Sequence, residues 1–475
     1  MVEQIRKYNM RMVGPNCMGV FNTNPEIHMN ANFAPAQPLE GHIGFISQSG
    51  ALGAVILEVA HHLQLGISIF TSMGNKADIS GNDLLEYYFE DEQTNLILMY
   101  LESFGNPRRF LQIARKITKD KPIIVVKAGT TEAGAKAASS HTGALADSDT
   151  TIDAMLHQCG VLRVSTIEEM FALGMAFAHQ PLPKGNRVAV LTNAGGPGIL
   201  ATDAVISEGL SLAKFSAETE DQLKELLPEE ASIHNPVDMI ATADQDSYKM
   251  ALEIILKDEN VDSVLVIFVT PILVKSIDVA HKIVEVLSKH QFKTVVTCLM
   301  GHEGVLSGVE KLEKHKIPVY RFPESAAKAL AAMETYKTYR QKEDGTVRTF
   351  PVDKEKAQAV FAKVKEEGRK SLNNSEIQQA LEAYGFLFAR CIRVQNAEEA
   401  IAFASELNTS IVVKVQSEDI IHKSDVGGVK VDLRTEKEIR QAFAEMHDSI
   451  KKHYPEAQIE GYTVQEMIKG GKETV

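Results

Sequence analysis

One histidine stands in a segment made almost entirely of small side chains. His141 lies within TEAGAKAASSHTGALADSD (131–149), where Ala, Gly, Ser and Thr predominate. Small residues let a loop approach a ligand or another backbone closely. A histidine held in such a loop can act as a base, a nucleophile or a phosphate acceptor. The alternative is a loop histidine that caps a helix or contacts water, and the neighbouring motifs must decide between the two.

Two strand-to-helix turns are suited to binding anions. The segments SQSGALG (47–53) and TNAGGPGILATDA (192–204) each follow an apolar run and open a helix. Free N–H groups and the helix dipole favour an anion at such a helix start, and consecutive amides can form a concave nest. The alternative for the first turn is an ordinary N-cap serine, and the second matches neither GxGxxG nor the P-loop. The residues expected to bind phosphate are Ser47, Ser49 and Gly50 in the first turn and Asn193, Gly195 and Gly196 in the second.

A carboxylate ends one of the apolar runs. Glu102 closes NLILMYLE (95–102), and the carboxyl ends of parallel strands are where α/β proteins place residues that face a ligand. Glu102 could hold one nitrogen of His141 and fix its tautomer. A surface glutamate or a helix cap is the alternative.

The last third of the chain carries residues suited to binding a nucleotide. Lys414 lies in the strand-like run SIVVKV (410–415), and a loop with His422 leads from it to Gly427 and Gly428. A lysine supplies a point charge and glycines supply amides for a triphosphate. GYTVQEMI (461–468), with Glu466, would be the strand and hinge that meets the adenine. A solvated loop is the alternative for His422.

Short β-branched runs that alternate with amphipathic helices must position these residues. Such alternation predicts βα units on parallel sheets covered by helices, first over about 40–178 and again from RVAVLT (187–192) to about 340. A polar connector follows, and from about Ser371 the pattern becomes mixed α+β. The N-terminal residues predict one helical turn and a strand, MRMVG (10–14), with no sheet of their own to join.

The totals describe an ordinary globular protein. The 475 residues carry a net charge of −13, which argues against a nucleic-acid surface or a basic membrane face. The four cysteines are widely separated, so we expect reduced thiols and a cytoplasmic protein rather than disulfides or a zinc site. No apolar run reaches about 18 residues, so no membrane span is expected.

Together these segments resemble the NDP-forming acyl-CoA synthetases, relatives of succinyl-CoA synthetase typified by ADP-forming acetate–CoA ligase. The resemblance covers the whole chain. The motifs that carry it, in the family's order, are GPNCMG (14–19), SQSGALG (47–53), GNKADISGNDLLEY (74–87), SSHTGALA (139–146), NAGGPG (193–198), NPVD (235–238) and IIHKSDVGGVKV (420–431).

The resemblance implies an acid–thiol ligase that interconverts acyl-CoA, here acetyl-CoA, phosphate and ADP with carboxylic acid, CoA and ATP. It implies an acyl phosphate and a phosphohistidine at His141, with Glu102 as its partner and His422 as a relay. Mg²⁺ would accompany the nucleotide, with its protein ligands expected on the second ATP-grasp lobe and no metal ligand assigned in this chain, and CoA would be a substrate. Asn16 and Cys17 of GPNC would lie near the CoA thiol, and Lys414 would match the nucleotide lysine.

The implied fold is α/β, with two flavodoxin-like parallel-sheet domains, succinyl-CoA synthetase-like, followed by a partial ATP-grasp lobe. The expected domains are a C-terminal remnant of a CoA-binding Rossmann domain (1–25), a domain with the phosphohistidine loop (26–180), a second flavodoxin-like domain (181–340), a linker (341–370) and a truncated ATP-grasp part (371–475). Most of the CoA site and the second ATP-grasp lobe would then be missing, so we expect the chain alone to be incomplete for turnover.

A competing interpretation is a regulatory region of the kind fused to GNAT acetyltransferases, which binds acyl-CoA without ligase activity. As far as the resemblance goes, such regions often lack the phosphorylatable histidine, whereas this chain keeps His141, Glu102 and His422. The sequence leaves open the carboxylic acid, the choice between ADP and GDP, and the oligomeric state, including a homo-oligomer.

Overall fold

The computed structural model of the protein divides by its contacts into two compact units, residues 1–344 and 345–475. It describes residues 1–35, 38–134, 136, 149–271, 274–290, 292–301, 305–343, 345–346, 348–407, 409–417, 419–420 and 423–470.

The first sheet has seven strands in the order β2-β1-β4-β3-β5-β6-β7. Its strands are β1 (Gly19–Asn22), β2 (Met29–Asn32), β3 (Ile43–Ser47), β4 (Ile67–Ser72), β5 (Leu96–Leu101), β6 (Ile123–Lys127) and β7 (Leu162–Val164). The five strands from β3 to β7 are parallel to one another, as the alternation of apolar runs and helices predicts.

Helices cover both faces of this sheet. Neighbouring residues along a strand point to opposite faces, so each face presents apolar side chains to the helices that cover it. The helices of this part are α1 (Val2–Lys7), α2 (Gly50–His62), α3 (Gly81–Glu90), α4 (Pro107–Ile117), α5 (Asp149–Gln158) and α6 (Ile167–His179). Along β5, Leu96 and Leu98 pack with α2 and α6, whereas Ile97 and Met99 pack with α3, α4 and α5.

The N-terminal segment differs from the sequence expectation. The strand predicted over MRMVG is absent, since residues 10–14 have no regular structure. The physical reason is that their hydrogen bonds go to a loop: the Met12 N–H donates to Asp78, and the Ile79 N–H donates back to Met12. The following β1 pairs antiparallel with β4, so this segment does have a sheet to join.

The second sheet is parallel throughout and has the order β10-β8-β11-β12-β13, with β9 beside β8. Its strands are β8 (Arg187–Thr192), β9 (Ser211–Leu212), β10 (Val237–Asp238), β11 (Ser263–Val269), β12 (Thr294–Met300) and β13 (Val319–Tyr320). Its helices are α7 (Gly195–Ser207), α8 (Ala217–Leu226), α9 (Gln245–Lys257), α10 (Ser276–Leu287), α11 (Val305–Lys314) and α12 (Pro323–Gln341).

One apolar cluster joins the two sheets of the first unit. It contains strand residues of both, such as Phe45 and Val190, and helix residues such as Met170 and Leu330. The long helix α12 packs against α6 and α7. Burial of this shared face is the main favourable term that holds the two sheets together.

The second unit contains a four-stranded antiparallel sheet in the order β14-β17-β15-β16. Its elements are α13 (Lys354–Glu366), α14 (Asn374–Glu382), β14 (Cys391–Val394), α15 (Ala397–Leu407), β15 (Ile411–Gln416), β16 (Val429–Leu433), α16 (Glu436–His453) and β17 (Gly461–Glu466). Alternate residues of β15 are buried, so one face of the sheet packs on helices and the other carries polar side chains. Among the helices in the described ranges, none has the length and apolarity required to span a membrane.

Candidate active site at the edge of the first sheet

The strand order of the first sheet creates a crevice at its carboxyl edge. β3 comes first of the parallel strands in sequence, and its neighbours β4 and β5 lie on opposite sides of it. At such a switch point the loops that follow adjacent strands diverge, and ligands bind in the gap. The loops after β3, β4 and β5 carry Gln48, Lys76 and Glu102 respectively.

A cavity of about 450 Å³ lies at this edge. Five of the residues expected from the sequence line it together: Asn16, Cys17, Ser49, Gly50 and Glu102. These residues come from three distant segments of the chain, and the fold brings them to one place. The other lining residues are Met18, Phe33, Gln48, Ala51, Ala54, Gly74 and Asn75.

The start of α2 forms one wall of the cavity. Ser49 is the N-cap, and its side chain accepts a hydrogen bond from the Leu52 N–H at 3.3 Å. Ser47 does not line the cavity; it is fully buried and its hydroxyl donates to the Ser49 carbonyl at 2.7 Å. Ser47 therefore supports the turn, while Ser49 and Gly50 face the space where an anion would meet the helix N-terminus.

Sequence reasoning did not identify Lys76 as a site residue, although it quoted the motif GNKAD. The Lys76 ammonium donates to Gln48 Oε1 at 3.1 Å and to the carbonyl and hydroxyl of Ser103 at 2.8 and 2.7 Å. A lysine in the loop after a parallel strand, two residues after a glycine, was the available signal, because that loop must lie at the carboxyl edge.

The electrostatic surroundings of Lys76 are unusual for a lysine. Burial lowers the pKa of Lys76 to about 8, the nearby Glu102 carboxylate works against that effect, and the positive charge of Lys127 adds to it. Lys127 ends β6, the next strand beyond β5. Two lysines and a glutamate thus meet at the edge of the sheet, an arrangement suited to a negatively charged substrate.

The GPNC and GNKAD motifs are structurally bound to each other. The N–H groups of Asn75 and Ala77 donate to the carbonyls of Pro15 and Gly14, both at 2.9 Å. A Cβ on Gly74, which has a φ of +54°, would lie 2.2 Å from the Pro15 carbonyl oxygen. Only glycine permits this close approach, and the contact holds the 14–17 loop against the cavity.

The turn after β8 is arranged differently from the sequence expectation at one residue. The Asn193 side chain is buried and bridges to Val269, donating to its carbonyl and accepting from its N–H, both at 2.9 Å. It therefore ties β8 to β11. Gly195 and Gly196 open α7, are exposed, and have no side-chain cap. The Asp238 carboxylate lies beside Gly195, since a Cβ there would be 3.3 Å from its Oδ2.

The two histidines expected to carry phosphate, His141 and His422, lie outside the described residues. The segment 137–148 and residues 421–422 are not described. Their roles therefore rest on the sequence.

In the second unit the expected nucleotide residues are only partly brought together. Lys414 lies on the polar face of the sheet, opposite Thr463, and its ammonium donates to Gln465 at 3.1 Å. Glu466 pairs with Ile411, so the two-residue period of a strand places it on the other face from Lys414. The Glu466 carboxylate instead accepts a hydrogen bond from the Arg390 N–H.

Gly427 and Gly428 form a turn rather than a free set of amides. The Gly427 N–H donates to the Ser424 carbonyl and the Gly428 N–H to the Lys423 carbonyl. A Cβ on Gly428 would lie 2.8 Å from both the Lys423 oxygen and Val415. In this arrangement the glycines permit close packing, and their amides are not available to a phosphate.

The described residues contain no group of three or more His, Cys, Asp or Glu side chains placed to hold a metal ion. The residues at the first site support charge neutralisation and hydrogen bonding to an anion, with a carboxylate at Glu102 for a neighbouring base or acceptor. A phosphoryl-transfer site requires mainly such positioning and charge.

Three family models match successive parts of the chain. The succinyl-CoA ligase like flavodoxin domain matches residues 40–177, the ligase-CoA domain matches 188–343, and an ATP-grasp domain matches 363–475. The fold and the site thus define a CoA-ligase of the α/β type with an ATP-grasp part, which confirms the fold class inferred from the sequence.

Relatives match along the whole chain. The 4-hydroxybutyrate–CoA ligase [ADP-forming] of Nitrosopumilus maritimus is 38% identical over 476 residues, covering 100% of this chain and 68% of the relative. Acetate–CoA ligase [ADP-forming] I of Archaeoglobus fulgidus is also 38% identical, with the same coverage. The chain therefore spans about two thirds of the length of these relatives.

A solved structure is similar to the larger part of the chain. The dinucleotide forming acetyl-coenzyme A synthetase 1 of Ca. Korarchaeum cryptofilum, in complex with phosphate and ADP, has a TM-score of 0.68 and 36% identity, covering 71% of this chain and 73% of that one. The chain belongs to the NDP-forming acyl-CoA synthetase family of acid–thiol ligases. The alternative of a GNAT-fused regulatory region has no support in these findings.

Proposed function

We propose that this protein interconverts acetyl-CoA, phosphate and ADP with acetate, CoA and ATP, and that the cavity at the edge of the first sheet is where the thioester reacts with phosphate. The observation that carries the proposal is that Asn16, Cys17, Ser49, Gly50 and Glu102 line one cavity. A small carboxylic acid other than acetate would use the same site, because only the side chains that surround the acyl group select which acid is bound.

In the first step, a phosphate oxygen attacks the thioester carbonyl carbon, the C–S bond breaks, and CoA leaves as a thiol after taking a proton. The N-terminus of α2 at Ser49 and Gly50 binds the phosphate through its amides. Asn16 and Cys17 line the same cavity, and the CoA thiol would arrive beside them. The product that remains in the cavity is acetyl phosphate.

In the second step, a ring nitrogen of His141 attacks phosphorus, the P–O bond to the acyl group breaks, and acetate leaves. Glu102 would hold the other ring nitrogen and stabilise the charge that develops on the ring. The phosphohistidine then delivers its phosphoryl group to ADP, with His422 as a relay. The α7 start at Gly195 and Gly196 is the second anion site.

The nucleotide would bind on the polar face of the second unit's sheet. Lys414 supplies charge there, close to Gln465, and Mg²⁺ bound to the nucleotide would neutralise the phosphates. The Glu466 strand would flank the base. The N–H groups of Gly427 and Gly428 are hydrogen-bonded within their own turn. They would bind a phosphate only if that turn opens.

The proposed domains follow the expected boundaries, namely 1–25, 26–180, 181–340, 341–370 and 371–475. The cytoplasm is the proposed compartment because the four cysteines carry free thiols, two of them buried.

The test uses the protein expressed from its intact reading frame, incubated with Mg²⁺ and γ-labelled ATP. We expect protein-bound phosphate that is labile in acid and stable in base, and we expect His141→Asn to abolish it. Loss in His422→Asn as well would support the relay, whereas retention would make His422 a bystander. An unmodified protein that takes up no label would contradict the ligase mechanism.

A further inference from the structure

A buried glutamine at the cavity has an orientation that its neighbours fix. Gln48 is only 5% exposed, yet it lines the cavity. Its Oε1 accepts three hydrogen bonds, from Lys76 Nζ at 3.1 Å and from the N–H groups of Glu102 and Ser103 at 2.9 and 3.1 Å. An ammonium and two peptide N–H groups can only donate. The amide oxygen must therefore face them, and the Nε2 group must point elsewhere.

The Nε2 group of Gln48 has no hydrogen-bond partner among the residues that the structure describes, and it is not sealed off from the cavity. A donor that faces the cavity and has no protein acceptor is available to a bound ligand. The adjacent Ser49 and Gly50 begin α2, whose amides favour an anion. Two independent features of the same wall thus call for acceptor oxygens at one place.

We propose that Gln48 is a phosphate-binding residue, which donates from Nε2 to the oxygens of phosphate beside the start of α2. This inference rests on the proposed function and deepens it. The Lys76 ammonium bonds to the far end of the same amide, and a hydrogen bond of this kind polarises the group and strengthens its donors. No proton moves in this arrangement.

The sharpest test is Gln48→Glu in the protein expressed from its intact reading frame. The carboxylate keeps an oxygen for Lys76 and for the two peptide N–H groups, so the fold retains its contacts. The two Nε2 protons are replaced by oxygen lone pairs and the side chain gains a negative charge, and both changes repel phosphate. We expect the KM for phosphate to rise by about a hundred-fold, with the KM for nucleotide unchanged and the melting temperature at least as high. The matched control is Gln64→Glu, the same change at an exposed residue that does not line the cavity.

Calorimetric titration with inorganic phosphate separates this inference from the proposed function. Weaker phosphate binding by Gln48→Glu, with normal binding by Gln64→Glu, supports the role of Gln48 even if the unmodified protein fails to cleave acetyl-CoA. Unchanged phosphate affinity and KM in Gln48→Glu would refute the role of Gln48 while leaving an active ligase intact.

Discussion

The pKa of Lys76 predicts how phosphate affinity changes with pH. Burial lowers this pKa to about 8, with Glu102 opposing and Lys127 adding to the effect. Lys76 is therefore charged below pH 8 and loses its proton as pH rises through that value, when the positive charge behind Gln48 disappears. We expect the KM for phosphate to rise above pH 8, and Lys76→Arg, whose guanidinium stays charged, to lack this rise.

The size of the effect follows from the chain of hydrogen bonds. From the Lys76 ammonium through the Gln48 amide to a phosphate oxygen is a separation of roughly 8 Å. Two unit charges at that distance interact by about 2 kcal/mol at an effective dielectric constant of about 20. This energy corresponds to roughly a thirty-fold change in affinity. Because the coupling is reciprocal, bound phosphate favours the protonated form of Lys76. The KM for phosphate should therefore stop rising about 1.5 pH units above pH 8.

The assay is phosphate-dependent cleavage of acetyl-CoA, measured from pH 6.5 to 9.5 in the unmodified protein and in Lys76→Arg. Phosphate itself titrates in this range, so the ratio of the two KM values isolates the contribution of Lys76. A ratio that stays constant across the range would refute the argument. A KM that already rises steeply in the arginine variant would assign the pH dependence to another group.

Three further predictions concern stability, each measured by thermal or urea unfolding. Gly44→Ala should destabilise the first unit by about 1–3 kcal/mol or more, because its Cβ would lie 2.5 Å from the Tyr88 ring; full stability would contradict the packing. Tyr88→Phe should cost about 1 kcal/mol, since the buried hydroxyl is hydrogen-bonded to the Phe45 carbonyl and the Thr71 hydroxyl. Asp262→Asn should weaken the contact that holds Arg187 at the start of β8. Burial raises the pKa of Asp262, but Arg187 outweighs that effect and holds the pKa below 3.8. The stability that this carboxylate contributes is present above pH 3.8 and lost as pH falls through the lower folded pKa, so the variant should differ most from the parent near neutral pH.

The strands were predictable because they are fully buried. HIGFIS, NLILMYL and PIIVVK became β3, β5 and β6, since uninterrupted apolar runs suit a parallel sheet covered on both faces. The strand predicted over MRMVG was wrong, because the same alternation of side chains also fits an extended segment whose backbone hydrogen-bonds to a loop. A single sequence does not distinguish a strand partner from a loop partner.

The location of the site could be predicted from the sequence, but only some of its side chains could. Glu102 and Ser49 follow strand ends, so their meeting at one edge follows from the fold class. Gln48 and Lys76 also follow strand ends, but their roles depend on contacts between loops 28 residues apart, which a single sequence does not show. The pair of glycines suggested that the Gly427 N–H was free to bind a phosphate, but this N–H is hydrogen-bonded within its own turn.

The pairing of β1 with β4 has a consequence for dissecting the protein. The first family model begins at residue 40, which invites a shortened version that starts there. Removing β1 would strip Phe21 from its stack on Phe70, at 5.4 Å, and leave Ile69–Thr71 of β4 without a partner on the side away from β3. An exposed apolar edge recruits strands from other molecules, so the shortened protein should aggregate, while a version that retains Met12 onward should remain in solution.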